Sequence, residues 1–177
     1  MKPQRGLQKS VEFLLFDALN LEANQSFSYE TFGNVNRKNI ETRGLELEIA
    51  WQALRTLMLR GQATYTDIDV KGENTVLTGR PEWVGSLSGN WQISANWDTT
   101  LDYRYTGEQW STTRYAGSEE SRELDAYHRI DWAVRWTLAE EWQLRFSADN
   151  LLDEDYQTSI GFPAPGRLFR FGVQFGL

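Results

Sequence analysis

The sequence of 177 residues contains no cysteine, which excludes a disulfide framework and a thiolate metal site. Its net charge is −7, so it lacks the excess of Lys and Arg that a nucleic-acid partner requires. Mean hydropathy is −0.56, and no stretch approaches the roughly 20 apolar residues of a membrane helix. Low hydropathy does not exclude a protein that crosses the membrane with β-strands, because a transmembrane strand needs only about 10 residues and shows one face to lipid.

Alternation of apolar and polar residues is the dominant pattern along the chain. In "EWVGSLSGNWQIS" one face carries Trp83, Leu87, Trp91 and Ile93, while the other carries mainly serine, asparagine and glutamine. This period of two predicts strands, and no segment has helical periodicity, so we predict an all-β fold. The alternation places about eight strands near 9–18, 39–53, 56–69, 82–95, 98–110, 127–138, 142–151 and 166–177.

The connections between these predicted strands alternate in length. Short turns follow Trp51, Ile93 and Leu138, whereas long connections span 19–38, 70–81, 111–126 and 152–165. In an up-and-down meander, successive connections fall at opposite ends, so all short turns share one end. This asymmetry predicts a segment of an antiparallel up-and-down transmembrane β-barrel, with short periplasmic turns and long extracellular loops.

The tryptophans provide a second indication of a membrane barrel. Five of them lie close to the short turns: Trp51, Trp91, Trp97, Trp136 and Trp142. Trp83 and Trp110 are expected toward the opposite rim. Tryptophans gathered at one end are typical of the aromatic girdle at the headgroup level. The core of a soluble β-sandwich would explain the alternation, but not this clustering.

Charges of both signs occupy the polar face of the predicted strands. They are Glu46, Glu48, Arg60, Asp102, Arg104, Asp131, Arg135, Arg145, Asp149 and Arg170. Such charges suit a wet barrel lumen, and they equally suit the outer surface of a soluble sandwich. Alternation alone therefore leaves open which face points inward.

No group of residues predicts catalysis. The single histidine, His128, lies between Asp125 and Asp131 without a spacing that arranges a nucleophile. "TDIDVKGEN" (66–74) has lysine where a calcium loop requires Asp or Asn. The acidic stretch "DNLLDEDY" (149–156) is typical of solvent-exposed residues where a loop leaves a strand. We predict no catalytic residues, no metal site and no cofactor, and therefore no enzyme.

The C-terminal stretch "SADNLLDEDYQTSIGFPAPGRLFRFGVQF" resembles the end of TonB-dependent outer-membrane receptors. That family closes with an N-L-F/L-D-x-x-Y motif, a P-G-R and a final alternating strand. The matching residues here are Asn150, Leu151, Asp153, Tyr156, Pro165, Gly166 and Arg167. Upstream, "NVNRKNIETRGLELEIAW" is similar to a family strand through Asn36, Gly44, Glu46 and Glu48. The resemblance covers nearly all of 34–177.

The resemblance implies a Gram-negative outer-membrane receptor that imports an iron-siderophore or cobalamin-like ligand with energy from the TonB complex. Receptors of this family have a 22-stranded barrel with a plugged lumen. We therefore expect 1–177 to be the C-terminal part of such a barrel, without its plug domain. The TonB complex would then be engaged only through that missing plug, and the loops 111–126 and 152–165 would contribute to ligand capture.

The final strand resembles the recognition signal that the barrel-assembly machinery reads. The residues expected to face outer-membrane lipid and carry this signal are Phe169, Phe171, Val173, Phe175 and Leu177. An unpaired terminal strand would leave an exposed edge, which is an aggregation hazard.

Two alternatives remain open from the sequence. One is a self-contained eight-stranded outer-membrane barrel that acts as an anchor or adhesin, since eight strands enclose an interior that side chains fill. The other is a soluble β-sandwich or lipocalin-like binding protein whose apolar face points inward.

Overall fold

The computed structural model of the chain describes residues 9–20, 24–28, 33–37, 40–70, 77–115, 118–139 and 142–176. Regular structure within these ranges consists of strands. A search of the described residues for a helix long and apolar enough to cross a membrane found none.

Fourteen strands occur in the described ranges. They are β1 (Lys9–Asn20), β2 (Asn24–Ser28), β3 (Gly33–Arg37), β4 (Ile40–Leu54), β5 (Leu57–Val70), β6 (Trp83–Gln92), β7 (Trp97–Thr106), β8 (Gln109–Tyr115), β9 (Ser118–Leu124), β10 (Tyr127–Ala139), β11 (Trp142–Asp149), β12 (Gln157–Ser159), β13 (Phe162–Pro163) and β14 (Leu168–Phe175). Eight of them form one antiparallel sheet in the order β1-β4-β5-β6-β7-β10-β11-β14. The other six form three hairpins, β2–β3, β8–β9 and β12–β13.

All eight strands predicted from alternation are present in the large sheet, so the all-β, up-and-down fold class is confirmed. The predicted strand 98–110 is wrong in its extent, because β7 ends at Thr106 and β8 begins at Gln109. The chain leaves the sheet at Gly107, whose backbone N–H donates to the carbonyl of Trp83 at 2.8 Å. Three connections that the sequence suggested were plain loops contain the hairpins β2–β3, β8–β9 and β12–β13.

The pairing register places the predicted apolar residues on one face of the sheet. Trp132 is directly opposite Leu101 on β7 and Ala148 on β11, and Ala148 is opposite Phe169 on β14. Directly paired residues of antiparallel strands project from the same face. The apolar positions of β7, β10, β11 and β14 therefore lie on one side of the sheet. We call this side of the sheet the apolar face.

Aromatic rings cluster on the apolar face at the short-turn end. Trp97 stacks on Trp136 with ring centroids 4.9 Å apart, and Trp142 contacts Phe175 at 4.8 Å. Trp51 lies near the same end, with the ammonium group of Lys9 5.0 Å from its ring centroid. These contacts form one aromatic rim.

A second aromatic rim lies at the long-connection end of the same face. Tyr65 contacts Trp83 at 4.8 Å, and Tyr105 contacts His128 at 5.0 Å. The Tyr103 hydroxyl is 2.7 Å from His128 Nδ1, so the single histidine is held at this rim. From Trp97 to Tyr105 the strand β7 contributes nine residues, which matches the roughly 9–11 residues of a transmembrane strand tilted by about 45°.

Among the residues that the structure describes, no second sheet covers the apolar face between the rims. Leu87 is 54% exposed and Phe171 is 69% exposed, and the buried apolar side chains in the described ranges are Val70, Leu124, Ala148 and Ile160. A β-sandwich buries its apolar faces between two sheets about 10 Å apart. The described strands form one large sheet and three small hairpins, so the sandwich interpretation is not favoured.

Charged residues occupy the opposite face, as the alternation predicts, and several are paired. The Arg135 guanidinium binds the Asp98 carboxylate across β10 and β7, and Arg170 pairs with Asp149 across β14 and β11. β1 and β14 are the two edges of the sheet, so these eight strands do not close on themselves.

Candidate functional site

The family-like motif at the end of β11 folds into a hydrogen-bonded turn around Asn150. This residue is 2% exposed and has φ of 49°, a left-handed conformation that asparagine tolerates better than most residues. Its side-chain amide donates to the carbonyls of Glu154 at 2.9 Å and Pro165 at 3.3 Å. Its side-chain oxygen accepts from the Glu154 N–H at 2.9 Å. Asparagine therefore supplies both donors and an acceptor at one buried position.

The same turn is fixed to β10 on the neighbouring side. The backbone N–H of Asn150 donates to Asp131 Oδ1 at 2.9 Å, and the N–H of Leu151 donates to the Ile130 carbonyl at 2.7 Å. Arg129 Nε also donates to Asp131 Oδ1 at 2.9 Å. Asp131 of β10 thus accepts hydrogen bonds both from the turn after β11 and from Arg129 of its own strand.

Asp153 connects this turn to the start of β14. Its φ is 59°, and its Oδ1 accepts from the backbone N–H of Arg167 at 2.7 Å. The Arg167 guanidinium lies 3.6 Å from the Asp153 carboxylate and donates to the Leu151 carbonyl at 3.3 Å. A Cβ atom on Gly166 would lie 2.9 Å from Asp153 Oδ1, so glycine permits this close approach.

Tyr156 completes the arrangement by stacking on Tyr127 at 4.0 Å between ring centroids. All seven motif residues predicted from the resemblance are therefore brought together at the long-connection end of β10, β11 and β14. We call them the clasp: Asn150, Leu151, Asp153, Tyr156, Pro165, Gly166 and Arg167. Of the upstream motif, Asn36 lies in the hairpin strand β3, whereas Gly44, Glu46 and Glu48 lie in β4.

The predicted assembly residues follow the clasp along β14. Phe169, Phe171, Val173 and Phe175 are directly opposite Ala148, Phe146, Leu144 and Trp142 of β11. All four are exposed on the apolar face, and β14 has no partner strand on its other side among the described residues. Leu177, the fifth predicted residue, lies outside the described residues.

The long connections pack against each other next to the clasp. Ile160, which follows β12, donates its N–H to Ser111 Oγ of β8 at 3.1 Å, and Gln109 Nε2 donates to the Thr158 carbonyl at 3.4 Å. Ile160, Ser111 and Gln109 are all buried, as is Leu124 at the end of β9. The predicted ligand-capture loops 111–126 and 152–165 are thus held together by a small core.

A cavity of about 690 Å³ opens at the same end of the sheet. It is lined by the end of β5, by residues 77–83 and by residues 105–110, with one contribution from β9. We call it the loop-end cavity. Its lining is Thr66, Asp67, Ile68, Asp69, Val70, Leu77, Arg80, Glu82, Trp83, Tyr105, Gly107, Glu108, Gln109, Trp110 and Glu123.

Three backbone hydrogen bonds hold the wall of the loop-end cavity in place. The N–H of Thr66 donates to the Glu82 carbonyl, and the N–H of Gly79 donates to the Trp110 carbonyl, both at 2.8 Å. The bond from Gly107 to Trp83 is the third. The segment that precedes β6 is therefore connected to β5 and β8, and Trp83 at the start of β6 is connected to the residue that follows β7.

The sequence does not predict this cavity. Of the two loops predicted to capture ligand, only 111–126 contributes to the cavity lining, through Glu123. The sequence indicates Asp67 and Asp69 only as part of a poor match to a calcium loop. Residues 71–74 of that stretch lie outside the described residues. Where residues are described, no group of three or more Asp, Glu or His is placed to hold a metal ion.

Comparison with known proteins gives the family of the chain. Residues 16–151 match the family described as TonB dependent receptor-like, beta-barrel. The Vitamin B12 transporter BtuB of Vibrio cholerae is 30% identical over 80 residues, which are 44% of this chain and 13% of that protein. The Metal-pseudopaline receptor CntO of Pseudomonas aeruginosa is 27% identical over 124 residues, 65% of this chain and 17% of that protein. The chain therefore spans a small part of the length of these relatives.

Solved structures share the fold. The crystal structure of the ferripyoverdine receptor of the outer membrane of Pseudomonas aeruginosa superposes with a TM-score of 0.77. The superposition covers 94% of this chain and 25% of that receptor at 17% identity. The siderophore receptor PiuA from Acinetobacter baumannii gives 0.73, covering 94% of this chain and 26% of PiuA at 15% identity.

Proposed function

This chain belongs to the TonB-dependent receptor-like β-barrel family, and from that premise we propose that it forms the C-terminal part of an outer-membrane receptor barrel. The receptor takes up a metal chelate in a TonB-dependent way, with an iron-siderophore as the first ligand class to test. Matching relatives are transport receptors for vitamin B12 and for metal-pseudopaline. We assign no catalytic step to the chain.

The observation that carries this proposal is the uncovered apolar face between two aromatic rims. Each Å² of apolar surface left in water costs about 25 cal/mol, and in the described part of the chain no second sheet covers this face. Hydrocarbon removes that cost, and the tryptophan and tyrosine rings at the rims suit the headgroup level. The charged face then points into the barrel lumen.

The clasp and β14 form the assembly end of the segment in this proposal. The clasp fixes where β14 starts, because Asp153 binds the Arg167 N–H and Asn150 binds the Pro165 carbonyl. Phe169, Phe171, Val173, Phe175 and Leu177 are then presented to lipid and to the barrel-assembly machinery. Contact with the TonB complex belongs to a plug domain, since we assign all of 1–177 to the barrel.

Gene disruption in the source organism tests the proposed function. We expect a strain whose reading frame is interrupted within these residues to lose uptake of one chelate in a panel of ferric siderophores and cobalamin. The loss should equal that of a strain without TonB, and the protein should fractionate with the outer membrane. Uptake of the whole panel that is unaffected by the disruption, or a protein found in the soluble fraction, would contradict the proposal. A self-contained anchor predicts outer-membrane fractionation without any uptake defect.

A further inference from the structure

We propose that the short-turn end of the sheet around Lys9, Trp51 and Arg55 binds the headgroup of an anionic phospholipid, with the acyl chains of that lipid lying along the apolar face. We call these three residues the basic rim. This inference rests on the proposed function, because it names the lipid that one end of the proposed barrel contacts. The position of the basic rim, its charge and the apolar residues beside it carry the inference.

Two residues of the basic rim lie on the apolar face, where the proposed function places lipid. Lys9 of β1 is directly opposite Trp51 of β4, and Trp51 is directly opposite Leu59 of β5. This row of paired residues continues through Gly89 to Leu101 of β7, which lies on the apolar face. Because directly paired residues project from the same face, Lys9 and Trp51 point toward the hydrocarbon side of the sheet.

The ammonium group of Lys9 lies at the level where lipid headgroups are expected. It is 5.0 Å from the centroid of the Trp51 ring, a distance typical of a cation–π contact, and both side chains are exposed. A tryptophan ring at the edge of an apolar band favours the headgroup level. A lysine packs its carbon chain on apolar surface and extends its charge to the same level.

Arg55 is presented by the tight turn between β4 and β5, at the same end of the sheet. Gln52 Nε2 donates to the Leu54 carbonyl at 2.6 Å, and the N–H of Gln92 donates to the Thr56 carbonyl at 2.8 Å. These bonds fix the turn and join it to the end of β6. They do not use the Arg55 guanidinium, which is exposed and can donate to a phosphate.

The charge around the basic rim has one sign. The short-turn ends of β1, β4, β5 and β6 comprise residues 9–11, 50–60 and 89–96, whose charged members are Lys9, Arg55 and Arg60. Arg60 projects from the polar face, because it is directly opposite Ala50. Lys and Arg at a membrane surface attract anionic lipids. A headgroup with net negative charge is therefore favoured over a zwitterionic headgroup, whose own ammonium group these cations repel.

Exposed apolar side chains continue from the basic rim into the apolar face. Val11 follows Lys9 on the same face of β1 and is directly opposite Ile49 of β4. Val11 is 65% exposed and Ile49 is 41% exposed. A cation over an aromatic ring, with aliphatic side chains beyond it, matches the order of phosphate, glycerol and acyl chain in a phospholipid. A free phosphate ion would use only the cations, so a lipid is the occupant that fits the whole surface.

The test places the full chain in phosphatidylcholine vesicles that contain a small fraction of brominated phosphatidylglycerol or of brominated phosphatidylcholine. Bromine quenches a fluorescent reporter attached at Leu54→Cys, an exposed position next to Arg55, and the chain has no other cysteine. We expect phosphatidylglycerol to associate with this site more strongly than phosphatidylcholine. Lys9→Gln and Arg55→Gln should each lower that preference by about two- to fivefold, as expected for one basic residue at a membrane surface. Raising the ionic strength should lower it as well.

Two further variants separate the basic rim from other effects. Lys9→Arg retains the charge and should retain the preference for phosphatidylglycerol, which distinguishes loss of charge from a local change in β1. Arg60→Gln is the matched control, because it removes the same charge from the polar face of β5 and should leave the preference unchanged.

Equal association of the two lipids with the wild type, or a preference that Lys9→Gln and Arg55→Gln leave unchanged, would overturn the anionic-lipid assignment and leave the receptor proposal standing. An effect of Arg60→Gln as large as that of Lys9→Gln would also overturn it, in favour of a general response to net charge. Soluble glycerol phosphate that removes the preference better than sodium chloride at equal ionic strength would overturn it in favour of a free phosphate site. A reporter on the inserted chain that neither lipid quenches would overturn it in favour of a protein partner. A chain that stays outside the bilayer would instead overturn the proposed function.

Discussion

Replacing Phe171 by arginine should destabilise the membrane-inserted sheet by about 2–4 kcal/mol, the cost of a cationic side chain on the lipid face near the bilayer midplane. Phe171 lies in the middle of β14, between Phe169 and Val173 on the apolar face, and it is 69% exposed. An exposed position in water would tolerate arginine with little change, usually within about 0.5 kcal/mol. The two environments therefore predict different outcomes for the same substitution.

Urea titration of the full chain in lipid vesicles measures this effect. Gln174→Arg is the matched control, because Gln174 lies on the same strand but projects from the polar face, and Phe171→Leu controls for loss of the ring. We expect Gln174→Arg and Phe171→Leu to remain close to wild type. Equal stability of Phe171→Arg and Gln174→Arg would mean that the two faces of β14 meet the same solvent.

Asn150→Ala should destabilise the connection between β11 and β14 by about 3–4 kcal/mol. The substitution leaves the N–H of Glu154 and the carbonyls of Glu154 and Pro165 without the partners they now have, and an unsatisfied buried polar group costs about 1–3 kcal/mol. Alanine at φ of 49° adds roughly 1–2 kcal/mol of backbone strain.

Asn150→Gly separates the two causes, because glycine adopts positive φ freely but supplies no side-chain hydrogen bonds. We expect it to cost about 2 kcal/mol, from the lost bonds alone. Asn96→Ala, at an exposed position of the β6–β7 turn, is the control and should stay within about 0.5 kcal/mol of wild type. Urea titration again provides the measurement. A glycine variant as stable as wild type would show that the clasp contributes only backbone geometry.

Strand positions were predictable from the sequence because a strand whose two faces meet different environments must alternate apolar and polar residues. The segment around Leu87 and Trp91 shows this alternation, and it forms β6 in the structure. The hairpin β8–β9 was missed because "QWSTTRY" and "SEESREL" are polar on both faces. Its strands are held by pairing and by contacts such as Ser111 with Ile160, which leave no periodic pattern.

The clasp and the loop-end cavity also differ in how far the sequence predicts them. The clasp residues were predictable only through the resemblance, because Asn150 and Pro165 are far apart in sequence and nothing in their spacing indicates a hydrogen bond between them. The loop-end cavity was not predictable at all. It exists because Gly107 and Gly79 bind the backbones of Trp83 and Trp110, and long-range backbone contacts of this kind leave no signal in side-chain composition.

The central claim is that the apolar face of the sheet contacts hydrocarbon, and nitroxide scanning of β7 in a reconstituted bilayer tests it most directly. The absence of cysteine allows single substitutions such as Leu101→Cys and Asp102→Cys to be labelled without background. We predict that labels at 99, 101 and 103 are relaxed by oxygen dissolved in the acyl chains, while labels at 100, 102 and 104 are relaxed by a nickel chelate in water. Aqueous access at 101 equal to that at 102, or the reverse alternation, would contradict the account.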